Sequence, residues 1–296
     1  RAKGRLLSAV ARLRRESGII AVVTDTGFIT LGKSTGRGGT KTMGSGSVLA
    51  ELDKVSKDRD VKGLVFRVLT PGGSGVASDL IREKLRELSE RLPVIISMSD
   101  VSASGGYLIA LGAGRIVADP MTLTGSIGIV SGKFEIGGLL KKLGVGKELV
   151  PTAKRSLMFS QSRDFSDDEE GKLDEMMNFY YKEFVRAVAE GRGLDENRAG
   201  EAAKGRVWTG AQAKELGLVD EMGGFWDAVN VAAREAGLPQ DKAPLLRYYS
   251  SARGIKLASL FGDTAYSEFV RMLSESVPPP GLHGCFTVMP FRIDVK

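Results

Sequence analysis

The chain has 296 residues, of which 42% are hydrophobic and 26% are charged, a composition typical of a soluble globular protein with a sizeable core. The net charge of +6 is modest. Past the N-terminus the basic residues are mixed with acidic ones and are not interleaved with aromatic ones, which argues against nucleic-acid binding.

Cys285 is the single cysteine, which excludes an internal disulfide and a multi-cysteine metal site. His283 is the single histidine, and we interpret it as a surface or tail residue.

Residues 1–17 form a basic segment. Six cations crowd the first fifteen residues, and Leu6, Leu7, Val10 and Leu13 fall between them at helical spacing. A basic amphipathic helix of this kind suits an anionic membrane surface, and a linker or a remnant of a longer precursor is the alternative. No run of eighteen apolar residues occurs, so we expect no segment that spans a bilayer.

Strands and helices are predicted to alternate over residues 18–150. Residues 18–24 read as a buried strand, residues 28–31 as its hairpin partner, and the Gly/Ser/Thr-rich residues 32–47 as a mobile loop. Apolar runs predict further strands at residues 63–68, 93–98 and 115–118, helices at 48–57, 81–92 and 104–111, and continued alternation through 126–130, 139–143 and 147–150. Repeated βα units predict an α/β fold with parallel strands.

The remainder of the chain is predicted to be more helical. Ser166 and Glu169 form a capping box that opens a long helix, and Thr209 caps a shorter helix that ends at Gly217. Further helices are predicted at residues 225–236 and 257–273. An extended, apolar tail follows the three prolines at 278–280.

Residues 27–34 match the phosphate-loop pattern G-x-x-x-x-G-K-[ST]. That motif requires a strand before it and a helix directly after Lys-Ser, so that backbone amides cradle a phosphate. Here the four intervening residues look like a strand, and the glycine-rich sequence after Ser34 does not favour a helix. The sequence therefore argues against nucleotide binding at this motif.

Three turns rich in glycine and serine follow successive strands: Pro71-Gly72-Gly73, Ser102–Tyr107 and Leu123–Gly128. Sites in parallel α/β folds are built at the carboxyl ends of strands. Ser104 stands at a strand-to-helix junction before two glycines, whose uncrowded amides suit a nucleophile that generates an oxyanion. The alternative at this point is that Ser104 is only the N-cap of its helix.

The same three turns, with Ala118-Asp119-Pro120 and the run from Gly205 to Asp220, resemble the core of the signal peptide peptidase A family. The resemblance covers residues 18 to 237 in consistent order. It implies a Clp protease/crotonase-like α/β superhelix of repeated β-β-α units with a helical extension. The chain then divides into the basic segment 1–17, a peptidase domain 18–237, and a C-terminal helix and tail 238–296.

The resemblance also assigns residue roles. It implies Ser104 as the nucleophile, Gly73 and Gly105 as the donors of the oxyanion hole, and Ser126 as the partner of a lysine base. Lys154 is the candidate base. An unperturbed lysine has a pKa of about 10.4, so burial has to lower that pKa before the amine can accept the serine proton.

For substrate and cofactor, the resemblance implies hydrolysis of released signal peptides and other extended apolar peptides, with no metal or cofactor. We expect a peptide to add a strand along Gly72 and Ser74. The tail after residue 280 is a candidate to cover a neighbour's surface or to occupy a substrate groove.

The family further implies a homo-oligomeric ring at a bacterial or plastid membrane surface, with a soluble catalytic domain. In its short members the serine and lysine of one site come from neighbouring subunits, and in its long members they come from two repeats. The rival readings are a crotonase-like acyl-CoA enzyme, a non-catalytic assembly subunit, and half of a two-repeat peptidase.

Overall fold

The structure is a computed structural model that describes residues 18–37, 40–249 and 286–288. The basic N-terminal segment, the helix predicted at residues 257–273, His283 and Cys285 lie outside the described residues. Their interpretations therefore remain predictions.

The larger sheet is built almost entirely from parallel strands. Its strands are β1 (Ile19–Thr26), β5 (Val61–Thr70), β7 (Val94–Ala103), β8 (Arg115–Ala118), β9 (Leu123–Gly125), β10 (Val207–Thr209), β11 (Glu221–Met222) and β12 (Leu245–Tyr249). The order is β10-β9-β7-β5-β1-β12, and β8 pairs with β7 and β11. Among these described pairs, only β10 with β9 runs antiparallel. The strand β12 lies beyond residue 237, so the sheet extends past the end of the peptidase domain predicted from sequence.

A second, smaller sheet contains β2 (Phe28–Thr30), β3 (Gly36–Arg37), β4 (Thr40–Gly44), β6 (Gly72–Ser74) and β13 (Phe286–Val288). Its order is β13-β6-β2-β4-β3. The predicted hairpin of residues 18–24 with 28–31 is wrong, because β2 pairs in parallel with β4 and β6 and leaves the first sheet. The predicted loop at residues 32–47 is also wrong in part, because these residues supply β3, β4 and the start of a helix.

The helices bear out most of the sequence pattern. They are α1 (Ser45–Lys57), α2 (Gly75–Ser89), α3 (Gly105–Ala110), α4 (Gly137–Lys142), α5 (Asp167–Arg192), α6 (Glu196–Ala202), α7 (Gly210–Glu215) and α8 (Phe225–Glu235). The capping boxes of Ser166 and Thr209 both form. The alternation predicted through residues 126–130, 139–143 and 147–150 is borne out only in part, because residues 139–142 belong to α4 and the other two ranges contain no strand element.

Within the described residues, the phosphate-loop pattern has no helix directly behind it. Ser34 is followed by β3 and β4, and α1 begins only at Ser45. The prediction that no helix directly follows Ser34 is therefore confirmed for the described residues.

The larger sheet separates two apolar layers. On one face, Phe66 and Ile96 belong to a core cluster with Ile81 and Leu85 of α2. On the other, a smaller cluster joins Val65, Ile95 and Val117 to α8. Between these layers, β5 and β7 pair from Leu64 with Val94 to Val68 with Met98, and a register shift then leads to the pair of Thr70 with Ser102.

That register brings the carboxyl ends of β5, β7 and β9 together. Thr70 is paired with Ser102, and Ala103 with Gly125. The three turns that stood out in the sequence therefore meet at one edge of the sheet, where parallel α/β folds build their sites.

Candidate active site

Ser104 lies in a strained turn between β7 and α3. Its backbone angles are φ 54° and ψ −114°, outside the ordinary regions for a residue with a side chain. The Ser104 N–H donates to the Gly125 carbonyl at 2.8 Å, which fixes the turn against β9. The residue is fully buried, and its Oγ has no hydrogen-bond partner among the described residues. Strain of this kind gathers at functional sites.

Two more buried hydroxyls belong to Ser126, which also has a positive φ, and to Ser102, which does not. Ser126 has φ 49°, and its N–H donates to the Arg206 carbonyl at 2.7 Å. The Oγ atoms of Ser126 and Ser102 have no partner within the described part of the chain. An unsatisfied buried polar group destabilises the fold by about 1–3 kcal/mol. Three such groups beside one strand end therefore favour a functional role over a packing role.

Ser102 was not assigned a role from the sequence. It lies in the same run as Ser104, but alternation along β7 gave no reason to separate it from ordinary buried serines. Only the pairing of Ser102 with Thr70 and its unpartnered Oγ bring it into the site.

The turn before β6 is held by Thr70. Its Oγ1 accepts the Gly72 N–H at 3.1 Å, and the Cα atoms of β6 come within 8 Å of those of α3. Gly73 has φ 152°, and a Cβ placed there would lie 2.2 Å from the Ile29 carbonyl oxygen. Only glycine fits, since β2 passes directly against this residue.

On the oxyanion role that the resemblance implies for Gly73, we expect Gly73→Ala to lower kcat/KM for a peptide by at least about a hundredfold, the usual effect of losing one such donor. The added methyl group pushes β6 away from β2 and so displaces the Gly73 backbone. The measurement is steady-state hydrolysis beside circular dichroism of the same preparation.

Gly32→Ala is the matched control for the Gly73 variant. Gly32 also has a positive φ, of 84°, but a Cβ there meets nothing within 4 Å. It therefore carries the backbone strain without the collision. Equal losses in the two variants would mean that strain, not the position of β6, matters.

A buried hydrogen bond of Tyr107 holds the helix α3 in place. The Tyr107 hydroxyl donates to the Leu218 carbonyl at 2.9 Å, and burial raises the pKa of Tyr107, so the phenol stays protonated. Arg192 donates two hydrogen bonds, of 2.7 and 2.9 Å, to the carboxylate of Asp220. Burial opposes the charge on Asp220, but Arg192 outweighs it and holds the pKa of that carboxyl below its usual value. The helix that begins directly after Ser104 is therefore held in place through Tyr107.

Lys154 lies away from Ser104 in this single chain. Its side chain is 75% exposed, and Nζ donates to Asp168 at 2.7 Å. Arg155 donates a hydrogen bond to the same carboxylate. The hydrogen bond from Arg155, and to a smaller extent the one from Lys154, keeps the pKa of Asp168 well below its ordinary value. Ser104, Ser126, Gly73 and Gly105 are brought together, and Lys154 is not.

A half-buried carboxyl lies near the end of β1, where Asp25 is paired with Val68 of β5. Burial raises the pKa of Asp25 to about 7, and the nearby Glu51 carboxylate adds to the shift. Asp25 also accepts the Thr26 N–H at 2.9 Å. Because the folded-state pKa is raised, this group's contribution to stability is complete below pH 3.8 and is lost as the pH rises to about 7.

Asp25→Asn is expected to raise the free energy of unfolding at pH 8 by up to about 4 kcal/mol, since each unit of pKa shift corresponds to about 1.4 kcal/mol. It should change little at pH 4, where Asp25 is already neutral in the folded state. Urea unfolding at both pH values measures this, with the exposed Asp174→Asn as control. An equal effect at pH 4 and pH 8 would contradict the assignment.

The described residues contain no group of three or more His, Cys, Asp or Glu side chains placed to hold a metal ion. None of the helices described is long and apolar enough to cross a membrane.

An α/β chain with a buried, strained serine at a strand-to-helix turn has the architecture of a serine hydrolase. The model of peptidase family S49 matches residues 86–239, about half of the chain. The chain therefore belongs to peptidase family S49, and the predicted resemblance to signal peptide peptidase A is confirmed.

Three curated relatives agree with this membership. The chloroplastic serine protease SPPA of Arabidopsis thaliana is 36% identical over 75% of this chain and 33% of its own length. A Synechocystis sp. protein named as a protease is 38% identical over 70% of this chain and 75% of its own. Protease 4 of Salmonella typhi is 37% identical over 75% and 35%. The chain thus spans only about a third of two of these relatives.

A solved structure supports the fold. A mutant of a membrane-bound stomatin-specific protease, in complex with a substrate peptide, matches with a TM-score of 0.50 at 16% identity. The match covers 86% of this chain and 99% of that one. The predicted α/β, Clp protease/crotonase-like fold class is confirmed.

Proposed function

We propose that this chain is a serine endopeptidase of the signal peptide peptidase A type, with Ser104 as its nucleophile. The observation that carries the proposal is the fully buried Ser104 Oγ, which is unpartnered among the described residues and held in a strained turn at the sheet edge. Family membership identifies the chemistry as peptide hydrolysis.

The oxyanion of the acylation step is stabilised by backbone N–H groups. Gly105 is the first residue of α3, where a helix leaves its N–H groups without intrahelical acceptors. Gly73 lies on β6, within reach of α3. Two such donors, aimed where negative charge develops, stabilise the tetrahedral intermediate.

The proton of the Ser104 hydroxyl needs an acceptor, and Lys154 is the base in this proposal. The Ser104 hydroxyl gives its proton to the neutral amine of Lys154 as Oγ attacks the scissile carbonyl, and the resulting ammonium protonates the leaving amine. Water then gives a proton to the same amine and attacks the ester, and the ammonium returns that proton to Ser104 Oγ as the second product leaves. Ser126 accepts a hydrogen bond from Lys154 and orients it.

For this chemistry the Lys154 amine must lose its contact with Asp168 and be shielded from water. A neighbouring copy of the chain offers a route, because the segment before Lys154 exposes apolar side chains: Phe134, Leu139, Leu143 and Val150. Exposed apolar surface of this extent marks protein–protein contact. In the proposed ring, this segment covers the neighbour and places Lys154 of one copy against Ser104 of the next.

The substrates proposed are released signal peptides and other extended, apolar peptides. A peptide adds a strand beside Gly72 and Ser74 and presents its carbonyl between Gly73 and Ser104. The name of one relative, a signal peptide peptidase of Enterococcus faecium, supports this class. The relative from Arabidopsis thaliana is named as a chloroplastic protein. We place the active assembly at a bacterial or plastid membrane surface.

The test is hydrolysis of a quenched fluorogenic apolar peptide by the purified chain, beside an acyl-CoA thioester. The peptidase hydrolyses the peptide and leaves the thioester unchanged. Thioester turnover without peptide cleavage would favour a crotonase-like enzyme. Inactivity toward both by an assembled oligomer would favour a non-catalytic subunit.

A further inference from the structure

We propose that a cavity beside Arg67 binds short apolar peptides with free termini, which carry an ammonium at one end and a carboxylate at the other. The cavity has a volume of about 400 Å³ and lies between the ends of β5 and β7 and the start of α8. Identifying such peptides as products of this chain rests on the proposed function. The cavity and its charges do not.

The cavity and the helix that follows Ser104 lie on opposite faces of the larger sheet. Phe66 and Val68, on either side of Arg67 in β5, belong to the apolar layer that contains α2 and α3. Side chains alternate between the two faces along a strand. Arg67 is therefore directed to the other face, where Val65 packs against α8. The cavity is thus separate from the candidate active site.

An irregularity in the sheet opens the cavity. Val68 pairs with Met98, and the next pair of the same two strands is Thr70 with Ser102. Three residues of β7 therefore lie opposite one residue of β5. Bulges of this kind bend a strand and redirect its side chains, and they recur beside functional sites.

Hydrogen bonds tie the opposite wall of the cavity to this bulge. Thr122 Oγ1 donates to the Ser99 carbonyl at 2.9 Å and accepts the Asp119 N–H at 3.2 Å. The Asp119 carboxylate accepts the Met121 N–H at 3.0 Å. A preformed cavity with apolar walls and a few polar groups is the usual form of a small-ligand site. The apolar side chains that line this one are Met98, Val101, Met121 and Leu123.

Arg67 supplies the positive charge of the cavity. The side chain is half-buried, and its Nη1 donates to Ser97 Oγ at 2.8 Å and to the Met98 carbonyl at 3.3 Å. Nη2 donates to Ser99 Oγ at 3.2 Å. Nε donates to none of the described residues and is not one of their buried unpartnered atoms, so it is accessible. A guanidinium with an accessible N–H suits a carboxylate.

Two exposed carboxylates, of Asp100 and Asp119, line the same cavity. Burial lowers the pKa of Arg67, and the charges of Asp100 and Asp119 oppose that change without accepting a hydrogen bond from Arg67. A simple anion at this site meets two like charges, and a simple cation meets Arg67. A peptide with both termini free places its carboxylate toward Arg67 and its ammonium toward the two acids.

The test is calorimetric titration of leucyl-leucine into the 296-residue chain, with Ser104→Ala to prevent turnover. We expect saturable binding with a dissociation constant of about 1 mM or lower. Leucyl-leucine amide, which lacks the carboxylate, should bind at least about tenfold more weakly. N-acetyl-leucyl-leucine, which lacks the ammonium, should bind about threefold more weakly, because Asp100 and Asp119 are exposed. Equal affinity for the dipeptide and its amide would overturn the inference, and so would no saturable binding up to about 10 mM.

Substitution of Arg67 assigns the carboxylate to this cavity. In Arg67→Gln, the difference between leucyl-leucine and its amide should disappear, because the two changes remove the same interaction. A folded Arg67→Gln variant that keeps the tenfold difference would show that the carboxylate binds elsewhere.

The acids are tested in a variant that leaves Arg67 in place. Asp100→Asn/Asp119→Asn should lose the preference for a free ammonium and keep the preference for a free carboxylate. Both residues are exposed, so this variant tests the site even if Arg67→Gln does not fold. The control is Asp174→Asn/Asp241→Asn, with the same change in charge at exposed positions of α5 and of the segment before β12. Identical behaviour of the two double variants would overturn the inference.

Binding is measured without hydrolysis, so the inference and the proposed function can fail separately. A chain that binds leucyl-leucine as expected but cleaves no peptide keeps the site and loses the assignment of its ligand as a product. An active peptidase whose binding ignores the charges at both termini loses the site.

Discussion

Ser104→Ala is expected to lower kcat/KM for a fluorogenic apolar peptide by at least about a thousandfold, the scale set by loss of a serine nucleophile. The Ser104 Oγ is the atom that the strained turn presents without a competing partner in the described structure. Removing it leaves the oxyanion donors and the peptide-binding edge in place. We therefore expect the loss in kcat, with KM changed little.

The melting temperature of the variant distinguishes loss of the nucleophile from misfolding. The Ser104 Oγ makes no hydrogen bond with the described residues, so its removal should leave the melting temperature the same or higher. Ser89→Ala is the matched control, because Ser89 donates to the carbonyls of Leu85 and Gly112 away from the site. Retained hydrolysis by a folded Ser104→Ala variant would show that another group attacks the peptide.

Lys154→Ala is the second large effect. We expect a loss of about a thousandfold, because Ser104 then has no group to accept its proton. Mixed with Ser104→Ala subunits, the variant should regain about a quarter of wild-type activity if each site joins two copies. At random mixing, half of the sites have an intact serine, and half of those face an intact lysine.

Arg155→Ala controls for the ion pair. Arg155 shares Asp168 with Lys154, so this variant disturbs the same surface without removing the proposed base. We expect it to retain most of the activity. No recovery in the subunit mixture, with each single variant inactive, would place both residues in one chain. An active Lys154→Ala variant would remove Lys154 from the mechanism.

Much of the larger sheet was predictable because its strands are continuous apolar runs. The strand at residues 115–118 matches β8, and the strand predicted at 93–98 lies largely within β7. Capping boxes marked the starts of α5 and α7, since side chain and backbone satisfy each other locally there. Such signals depend on near neighbours in sequence.

The smaller sheet was not predictable in the same way. The sequence of β4 is Thr-Lys-Thr-Met-Gly, which lacks a long apolar run, and it becomes a strand because β2 lies beside it. Backbone pairing between distant segments determines such strands. The same holds for β13, whose partner β6 lies more than 200 residues earlier.

The candidate site was only partly predictable. The serine- and glycine-rich turns pointed to Ser104, because special backbone conformations leave a mark in composition, and the family resemblance added Ser126 and Gly73. Ser102 left no such mark. In the proposed ring, the position of Lys154 of one copy relative to Ser104 of the next depends on contacts between copies, and single-chain patterns in the sequence do not specify those contacts.

The central claim is that Ser104 Oγ is the attacking atom. The most direct measurement is intact-protein and peptide mass spectrometry after reaction with a fluorophosphonate, on the wild type and on Ser104→Ala. The account predicts one adduct per active chain, located on Ser104 and absent from the variant. An adduct on Ser102 or Ser126 in the wild type, or equal labelling of Ser104→Ala, would contradict it.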